Sequence, residues 1–209
     1  MFKYKIGGVF FIVTKSPVKS EKTDMLFNWT VPELDKGDKT FMEIHNEAGS
    51  SISKECQGAL ARFGKPDHTG VKVLQVGEAV ITSAGMLPAK NIIHCVVPNY
   101  RIKEEKENQA NLFLSTVNYA LALVNEYSRT HLTMRKIALT PFPTFICGET
   151  PDKTIKHFIR SLITNAENYN IKEVKIVCNT EKEYDLYKDL FSSEFISFGD
   201  RLYSKLFGA

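Results

Sequence analysis

The segment Asn91–Val97, with the sequence NIIHCVV, constrains the fold more than any other part of the chain. Almost no polar side chain interrupts it. A continuous apolar run of this kind is typical of a strand that is buried on both faces of a sheet. We therefore expect helices to cover both sides of that sheet.

Apolar strands and amphipathic helices alternate along the rest of the chain. Hydrophobic periodicity predicts helices over Asp38–Gly49, Ser51–Phe63, Gln109–Ser128, Pro151–Asn168 and Glu181–Phe191. Short apolar runs predict strands over Asp24–Trp29, Gly77–Ser83, Lys136–Leu139 and Glu173–Cys178, after a hairpin or broken strand over Lys3–Thr14. This order predicts an α/β fold with three layers and a mixed, mostly parallel central sheet, in which ligands bind at the carboxyl ends of the strands.

Composition and charge exclude several classes of protein. The chain has 209 residues and a formal net charge of +3, which suits a soluble protein and is too weakly basic to predict nucleic-acid binding by itself. The apolar run Val9–Val13 is too short for a signal peptide or a membrane span, so we predict no membrane association. The Lys-, Asn- and Glu-rich composition suggests an AT-rich genome and a viral source.

The four cysteines, Cys56, Cys95, Cys147 and Cys178, form no CxxC pair. This pattern predicts free thiols in a reducing, cytoplasmic location. The histidines show no ligand spacing with the cysteines, so we predict neither a metal site nor a cofactor.

Residues 77–98, with the sequence GEAVITSAGMLPAKNIIHCVVP, carry the most specific motif of the chain. The motif resembles the macro-domain family pattern G-x-A-x-x-T-x-x-x-x-L-P-x-K-x-I-I-H-x-V-x-P. The matches fall in register without a gap, at Gly77, Ala79, Thr82, Leu87, Pro88, Lys90, Ile92, Ile93, His94, Val96 and Pro98. Most of these positions are scaffold in that family, so they indicate the fold and say little about activity.

The resemblance extends over nearly the whole chain. Asp24–Asn28 resembles the start of the family's D-x-I-V-N-A-A-N strand, and Glu43–Gly49 resembles its A-I-H-R-A-A-G helix. Residues 138–155 resemble its last phosphate loop with the preceding strand. We therefore expect residues 1–209 to form a single macro-like domain, and the resemblance implies ADP-ribose or a related nucleotide as ligand.

The resemblance also places the two ends of the ligand. Family members usually hold adenine with an aspartate, and Ser16 stands at that position. Asn28 keeps the first asparagine of the family's pair, whereas Val31 replaces the second, which lies at the distal ribose.

The first glycine-rich loop departs from the family in most positions. Gly37 keeps a glycine, Lys39 replaces another, and Phe41 stands where hydrolytic members place an aspartate. Lys39 and the nearby Lys36 either hold phosphates or are solvated, and His45 is either a site residue or a packing residue. The aromatic rings of Phe41 and Trp29 are expected to line the pocket, where they stack on a base or fill the cleft.

The second loop, S-T-G-I-Y-G in the family, has the sequence PTFICG here. Its candidate ligand-binding residues are Thr144, Phe145, Ile146, Cys147 and Gly148. Phe145 replaces a glycine that permits close backbone approach to the diphosphate, and Cys147 replaces an aromatic residue. Gly148 is kept.

These replacements favour a non-catalytic macro-domain protein that binds ADP-ribose or a related nucleotide. The alternative is a pseudo-macro domain whose cleft is closed by Val31, Phe41 and Phe145 and which acts through a protein partner. Nucleic-acid binding and residual hydrolase activity are further alternatives, and no catalytic residue is predicted.

Overall fold

The computed structural model describes residues 1–6, 8–99, 108–131, 135–142, 151–166 and 168–207. Within them, a seven-stranded sheet contains β1 (Phe2–Ile6), β2 (Val9–Lys15), β3 (Met25–Thr30), β6 (Ala79–Ser83), β7 (Asn91–Val96), β8 (Lys136–Leu139) and β9 (Glu173–Cys178). Two short strands, β4 (Lys65–Pro66) and β5 (Lys72–Val73), pair separately.

The described helices are α1 (Lys39–Ala48), α2 (Ser51–Phe63), α3 (Gln109–Thr130), α4 (Pro151–Ala166) and α5 (Glu181–Phe207). None of these described helices combines the length and the apolar character needed to cross a membrane. A 3-10 turn, Val18–Ser20, follows β2 and buries the Val18 side chain.

The strand order is β1-β2-β9-β8-β3-β7-β6. β2, β9, β8, β3 and β7 run parallel to their neighbours in the middle, and β1 and β6 pair antiparallel at the two edges. The carboxyl ends of β2, β8, β3 and β9 therefore point to the same edge of the sheet. A ligand site is expected at that edge.

Two apolar cores lie on opposite faces of the sheet. The larger joins side chains such as Phe27 and Trp29 of β3 to α3, α4 and α5. The smaller joins Leu26 to α1 and α2. Because successive side chains of a strand point to opposite faces, β3 contributes to both cores and is buried throughout.

The turn between β6 and β7 packs against the end of α1. Gly85 has a φ of 56°, and a Cβ there would lie 2.1 Å from the carbonyl oxygen of Ala48. The next residue, Met86, donates its backbone N–H to that same oxygen at 3.1 Å. A left-handed residue without a side chain is therefore needed for this close approach.

The predicted fold class is confirmed by these layers and by the mixed sheet. The last helix differs most from its prediction, because it continues from Phe191 to Phe207. The organisation of residues 1–209 as a single domain stays a prediction.

Candidate ligand-binding site

A cavity of about 610 Å³ lies at the carboxyl edge of the sheet. The ends of β2, β8 and β9 reach it, together with the first turns of α1 and α5. The described residues that line it are Lys15, Ser16, Pro17, Asp38, Lys39, Thr40, Glu43, Pro141, Phe142, Ile155, Asn179, Thr180, Glu183, Leu186 and Tyr187. Two of the predicted site residues, Ser16 and Lys39, are among them.

The floor of the cavity is apolar and is fixed by one hydrogen bond. Phe142 and Tyr187 are buried, and the backbone N–H of Phe142 donates to the Tyr187 hydroxyl at 2.5 Å. Ile155 and the half-buried Leu186 complete this floor. Of these four residues, Phe142, Ile155 and Tyr187 are at most 2% exposed, so the half-buried Leu186 is the one whose side chain can contact the face of a base.

Trp29 lies behind this floor and does not line the cavity, so the prediction for this residue is wrong. Its ring packs edge-on against Phe142, with 5.9 Å between the ring centroids, and its indole N–H donates to the carbonyl oxygen of Thr140 at 3.2 Å. The alternation of side chains along β3 places Trp29 in the larger core.

Asp38 forms the wall of the cavity at the first turn of α1. It is the N-cap residue, and its Oδ1 accepts the backbone N–H of Phe41 at 2.9 Å. Burial raises the pKa of Asp38, while the N–H groups of Phe41 and Thr40 act in the opposite direction. The carboxylate therefore occupies the place where α1 would otherwise present N–H groups to the cavity.

Glu183 closes the first turn of α5 in a similar way. Its Oε2 accepts the backbone N–H groups of Asn179 at 2.9 Å and Thr180 at 3.0 Å. In return, the Thr180 hydroxyl accepts the backbone N–H of Glu183 at 3.2 Å. This reciprocal pair is a capping box, and it follows from the sequence T-E-K-E.

Ser16 is connected to a buried carboxylate. Its hydroxyl donates to Glu21 at 2.6 Å, and Lys175 donates to the other oxygen of Glu21 at 2.9 Å. Glu21 is only 8% exposed. The hydroxyl at the predicted adenine end is therefore oriented by Glu21, which the sequence comparison did not identify.

Phe41 and His45 lie on the other side of α1, and Gly37 precedes that helix. Phe41 is buried and stacks on His45 with 4.0 Å between the ring centroids. A Cβ at Gly37 would lie 2.4 Å from Cβ of Phe41, so the glycine is needed for this packing. Phe41 and His45 line a separate, smaller cavity of about 290 Å³.

Asn28 and Val31 are not among the described residues that line either cavity. Asn28 is buried, and its Nδ2 has no hydrogen-bond partner within the described part of the chain. Val31 is half-buried in the loop after β3. Thr144, Phe145, Ile146, Cys147 and Gly148 lie outside the described residues.

The fold brings three possible metal ligands together that linear spacing did not suggest. One ligand atom from each of His45, Cys56 and His94 lies within 4.8 Å of the others. However, His94 Nε2 is already 2.9 Å from the Thr82 hydroxyl, and burial raises the pKa of the Cys56 thiol to about 12. A metal ion would have to displace that hydrogen bond and the thiol proton.

Comparison with known proteins identifies the family. The family model described as the macro domain matches residues 32–144. A macro domain-containing protein of Listeria monocytogenes serotype 4b is 31% identical over 188 residues, which are 88% of this chain and 98% of that protein. The chain belongs to the macro-domain family.

Solved structures confirm the macro-domain fold. The Oceanobacillus iheyensis macrodomain with ADP has a TM-score of 0.79 and 22% identity, covering 93% of this chain and 96% of that chain. The Trypanosoma brucei macrodomain in complex with ADP has a TM-score of 0.68 and 19% identity, covering 86% of this chain and 68% of that chain.

Some relatives carry the name of an enzyme. A Pantoea vagans protein named O-acetyl-ADP-ribose deacetylase 2 is 33% identical over 151 residues, which are 71% of this chain and 79% of that protein. These named relatives come from bacteria. The viral source and the cytoplasmic location of this macro domain stay predictions.

Proposed function

We propose that this macro domain binds ADP-ribose or a related nucleotide in the larger cavity without hydrolysing it. The observation that carries the proposal is the cavity itself, which lies open at the carboxyl edge of the sheet. Open α/β sheets bind their ligands at this edge. The volume of about 610 Å³ lies within the range of about 300–1,000 Å³ that is common for small-molecule sites.

The lining has the mixture of groups that a nucleoside needs. The half-buried Leu186 supplies apolar surface for a base above the buried Phe142 and Ile155, and Ser16 and Asn179 supply polar groups at the rim. A mostly apolar pocket with a few convergent polar groups is typical of a ligand site.

The position of Phe41 supports binding without catalysis. An aromatic side chain replaces the aspartate of hydrolytic members, and it is turned away from the larger cavity towards His45. Burial also lowers the pKa of His45. Hydrolysis of an acetylated ADP-ribose is the second candidate, because a relative at 33% identity carries the deacetylase name.

The closed-cleft alternative receives less support from the described residues. It requires Val31, Phe41 and Phe145 to pack into the cleft, yet Phe41 lines the other cavity and Val31 lines neither. Phe145 lies outside the described residues. Nucleic-acid binding is not favoured by the formal net charge of +3, which is only weakly basic.

Isothermal calorimetry with ADP-ribose tests the proposal. Leu186→Gln should weaken binding about tenfold, because a base on the floor would lose roughly 1–2 kcal/mol of apolar contact. Leu123→Gln is the matched control, since Leu123 is also half-buried against the larger core but does not line the cavity. Equal affinities for the two variants would contradict the proposed site.

A second assay separates binding from catalysis. The protein is incubated with O-acetyl-ADP-ribose, and release of acetate is followed by NMR. We expect saturable binding without acetate release. Acetate release above the buffer rate would replace the binding proposal with the deacetylase alternative.

A further inference from the structure

The strand β1 forms one edge of the sheet, and within the described part of the chain no strand pairs with its outer side. The backbone of β2 shows which groups of β1 are used. Phe10 donates its backbone N–H at 2.9 Å to the carbonyl oxygen of Lys172, just before β9. Because the backbone groups of successive residues in a strand point to opposite sides, Val9, Phe11 and Val13 form their hydrogen bonds towards β1.

The register of the hairpin then identifies the residues at the open edge. The β1 residues opposite these three positions are Ile6, Tyr4 and Phe2, so their backbone groups are bonded to β2. Lys3 and Lys5 alternate with them, and their backbone N–H and C=O groups point away from β2. Unpaired groups in such a row are a template for a further strand.

The side chains of these two lysines carry positive charge without a carboxylate partner. Lys3 and Lys5 are exposed, and their Nζ atoms lie 4.0 and 5.3 Å from the centroid of the Phe10 ring. Neither forms a salt bridge with a described carboxylate. Glu173 lies beyond Phe10, on β9. Two ammonium groups are therefore held side by side on one face of the edge strand.

The opposite face of β1 is apolar. Phe2, Tyr4 and Ile6 are half-buried against the larger core. Tyr4 stacks on Phe195 of α5, with 4.3 Å between the ring centroids. A strand added beside β1 would continue both faces, because its side chains also alternate. It therefore needs acidic residues on the lysine face and apolar residues on the other.

A second copy of this chain does not meet that requirement. In an antiparallel pair of two β1 strands, the outward backbone groups of both copies must meet, and in each copy they belong to Lys3 and Lys5. Lysine would then lie opposite lysine, and like charges directly opposite each other are destabilising. Lysines on an edge strand prevent self-association in this way, but they attract a strand of opposite charge.

We propose that β1 is a docking edge for an extended peptide of another protein in which acidic and apolar residues alternate. The peptide adds an eighth strand to the seven-stranded sheet, antiparallel to β1. Its main chain bonds to the backbone of Lys3 and Lys5, and its acidic side chains lie opposite theirs. This docking edge is separate from the larger cavity, so the inference goes beyond the proposed function and does not depend on it.

NMR titration of the whole protein with a capped Val-Glu-Val-Glu-Val peptide tests the proposal. The peptide should shift the amide resonances of Lys3 and Lys5 and slow the hydrogen exchange of both amides. A Val-Lys-Val-Lys-Val peptide should bind about tenfold or more weakly, because two favourable cross-strand charge pairs become unfavourable.

N-methylated peptides distinguish an added strand from attraction between charges alone. In the antiparallel arrangement the N–H groups of both glutamates face β1, whereas those of the valines point away. N-methylation of the two glutamates should therefore weaken binding about tenfold or more. N-methylation of two valines should change the affinity by no more than about threefold.

Charge reversal in the protein provides a gain of binding. The double variant Lys3→Glu, Lys5→Glu should prefer the lysine peptide to the glutamate peptide, and both positions are exposed, so the fold should tolerate the change. The matched control is Lys54→Glu, Lys182→Glu, which makes the same change in net charge at exposed positions of α2 and α5. The control should keep the preference of the parent.

Several results would overturn the proposal. Equal affinity for the two charged peptides, equal effects of the two N-methylations, or unshifted Lys3 and Lys5 resonances at about 1 mM peptide would each exclude the docking edge. Protection of both amides in the protein alone would mean that the edge is already covered, for example by a second copy. None of these results affects the proposed function, because no measurement involves the larger cavity.

Discussion

Lowering the pH should destabilise this protein through His94 before most carboxylates are protonated. The His94 ring is fully buried, Nε2 lies 2.9 Å from the Thr82 hydroxyl, and Nδ1 has no partner within the described part of the chain. Burial, helped by the neighbouring His45, lowers the pKa of His94 to about 3. The folded protein therefore keeps this imidazole neutral.

The magnitude follows from the difference between the folded and unfolded states. An unfolded histidine has a pKa of about 6.5, so between about pH 6.5 and 3 the unfolded state binds a proton that the folded state refuses. The stabilisation is complete above about pH 6.5 and is lost as the pH falls below it. A pH of about 5 lies about 1.5 pH units below the unfolded pKa. The free energy of unfolding falls by about 1.4 kcal/mol for each of these pH units, which gives a loss of about 2 kcal/mol. His45, whose pKa is also lowered by burial, acts in the same direction.

Urea unfolding at about pH 7.5 and about pH 5 measures this loss. The free energy of unfolding should fall by about 2 kcal/mol or more in the parent, and by clearly less in His94→Gln, which has no titrating ring. NMR of the folded parent gives an independent readout, because the His94 ring resonances should not titrate down to about pH 4. A ring that titrates near pH 6.5 in the folded protein would refute the reasoning.

Further predictions concern stability and are checked by thermal unfolding. Gly37→Ala should cost about 1–3 kcal/mol, because the new Cβ would lie 2.4 Å from Cβ of Phe41; unchanged stability would contradict the packing. Gly58→Ala is its control and should stabilise the protein by about 0.5–1 kcal/mol, because Gly58 lies within α2 and its Cβ would meet nothing within 4 Å. Asp24→Asn should cost about 1–3 kcal/mol, because this buried carboxylate pairs with Lys90 at 2.6 Å and accepts two backbone N–H groups; a loss much below this range would mean that water replaces those partners.

Local patterns were sufficient to predict the scaffold. The run Asn91–Val97 has the composition of a doubly covered strand, and β7 lies between β3 and β6 with helices on both faces. The glycine of the β6–β7 turn, Gly85, is needed for its contact with Ala48. The periodicity of a strand and the geometry of a turn depend on only a few neighbouring residues. Both can therefore be predicted from the sequence.

The walls of the candidate site depend on tertiary contacts and were largely missed. Glu21 accepts hydrogen bonds from Ser16, which lines the site, and from Lys175. No local sequence pattern predicts these contacts. Glu183 could have been found, since the T-E-K-E sequence after β9 is a capping-box signal. Trp29 was expected to line the pocket, but its ring lies in the larger core behind Phe142, because side chains alternate along β3.

The pairing of β2 with β9 has a consequence for synthesis of the chain. Phe10 lies opposite Glu173 and Thr14 lies opposite Val177, so about 160 residues of the 209-residue chain separate the paired positions. Until β9 leaves the ribosome, β2 has β1 as its only neighbour in the sheet order, and its apolar side chains Phe11 and Val13 are left beside an unpaired strand edge. Completion of the sheet must therefore wait for the end of translation, and a chain that stops before Glu173 would present this edge to other molecules.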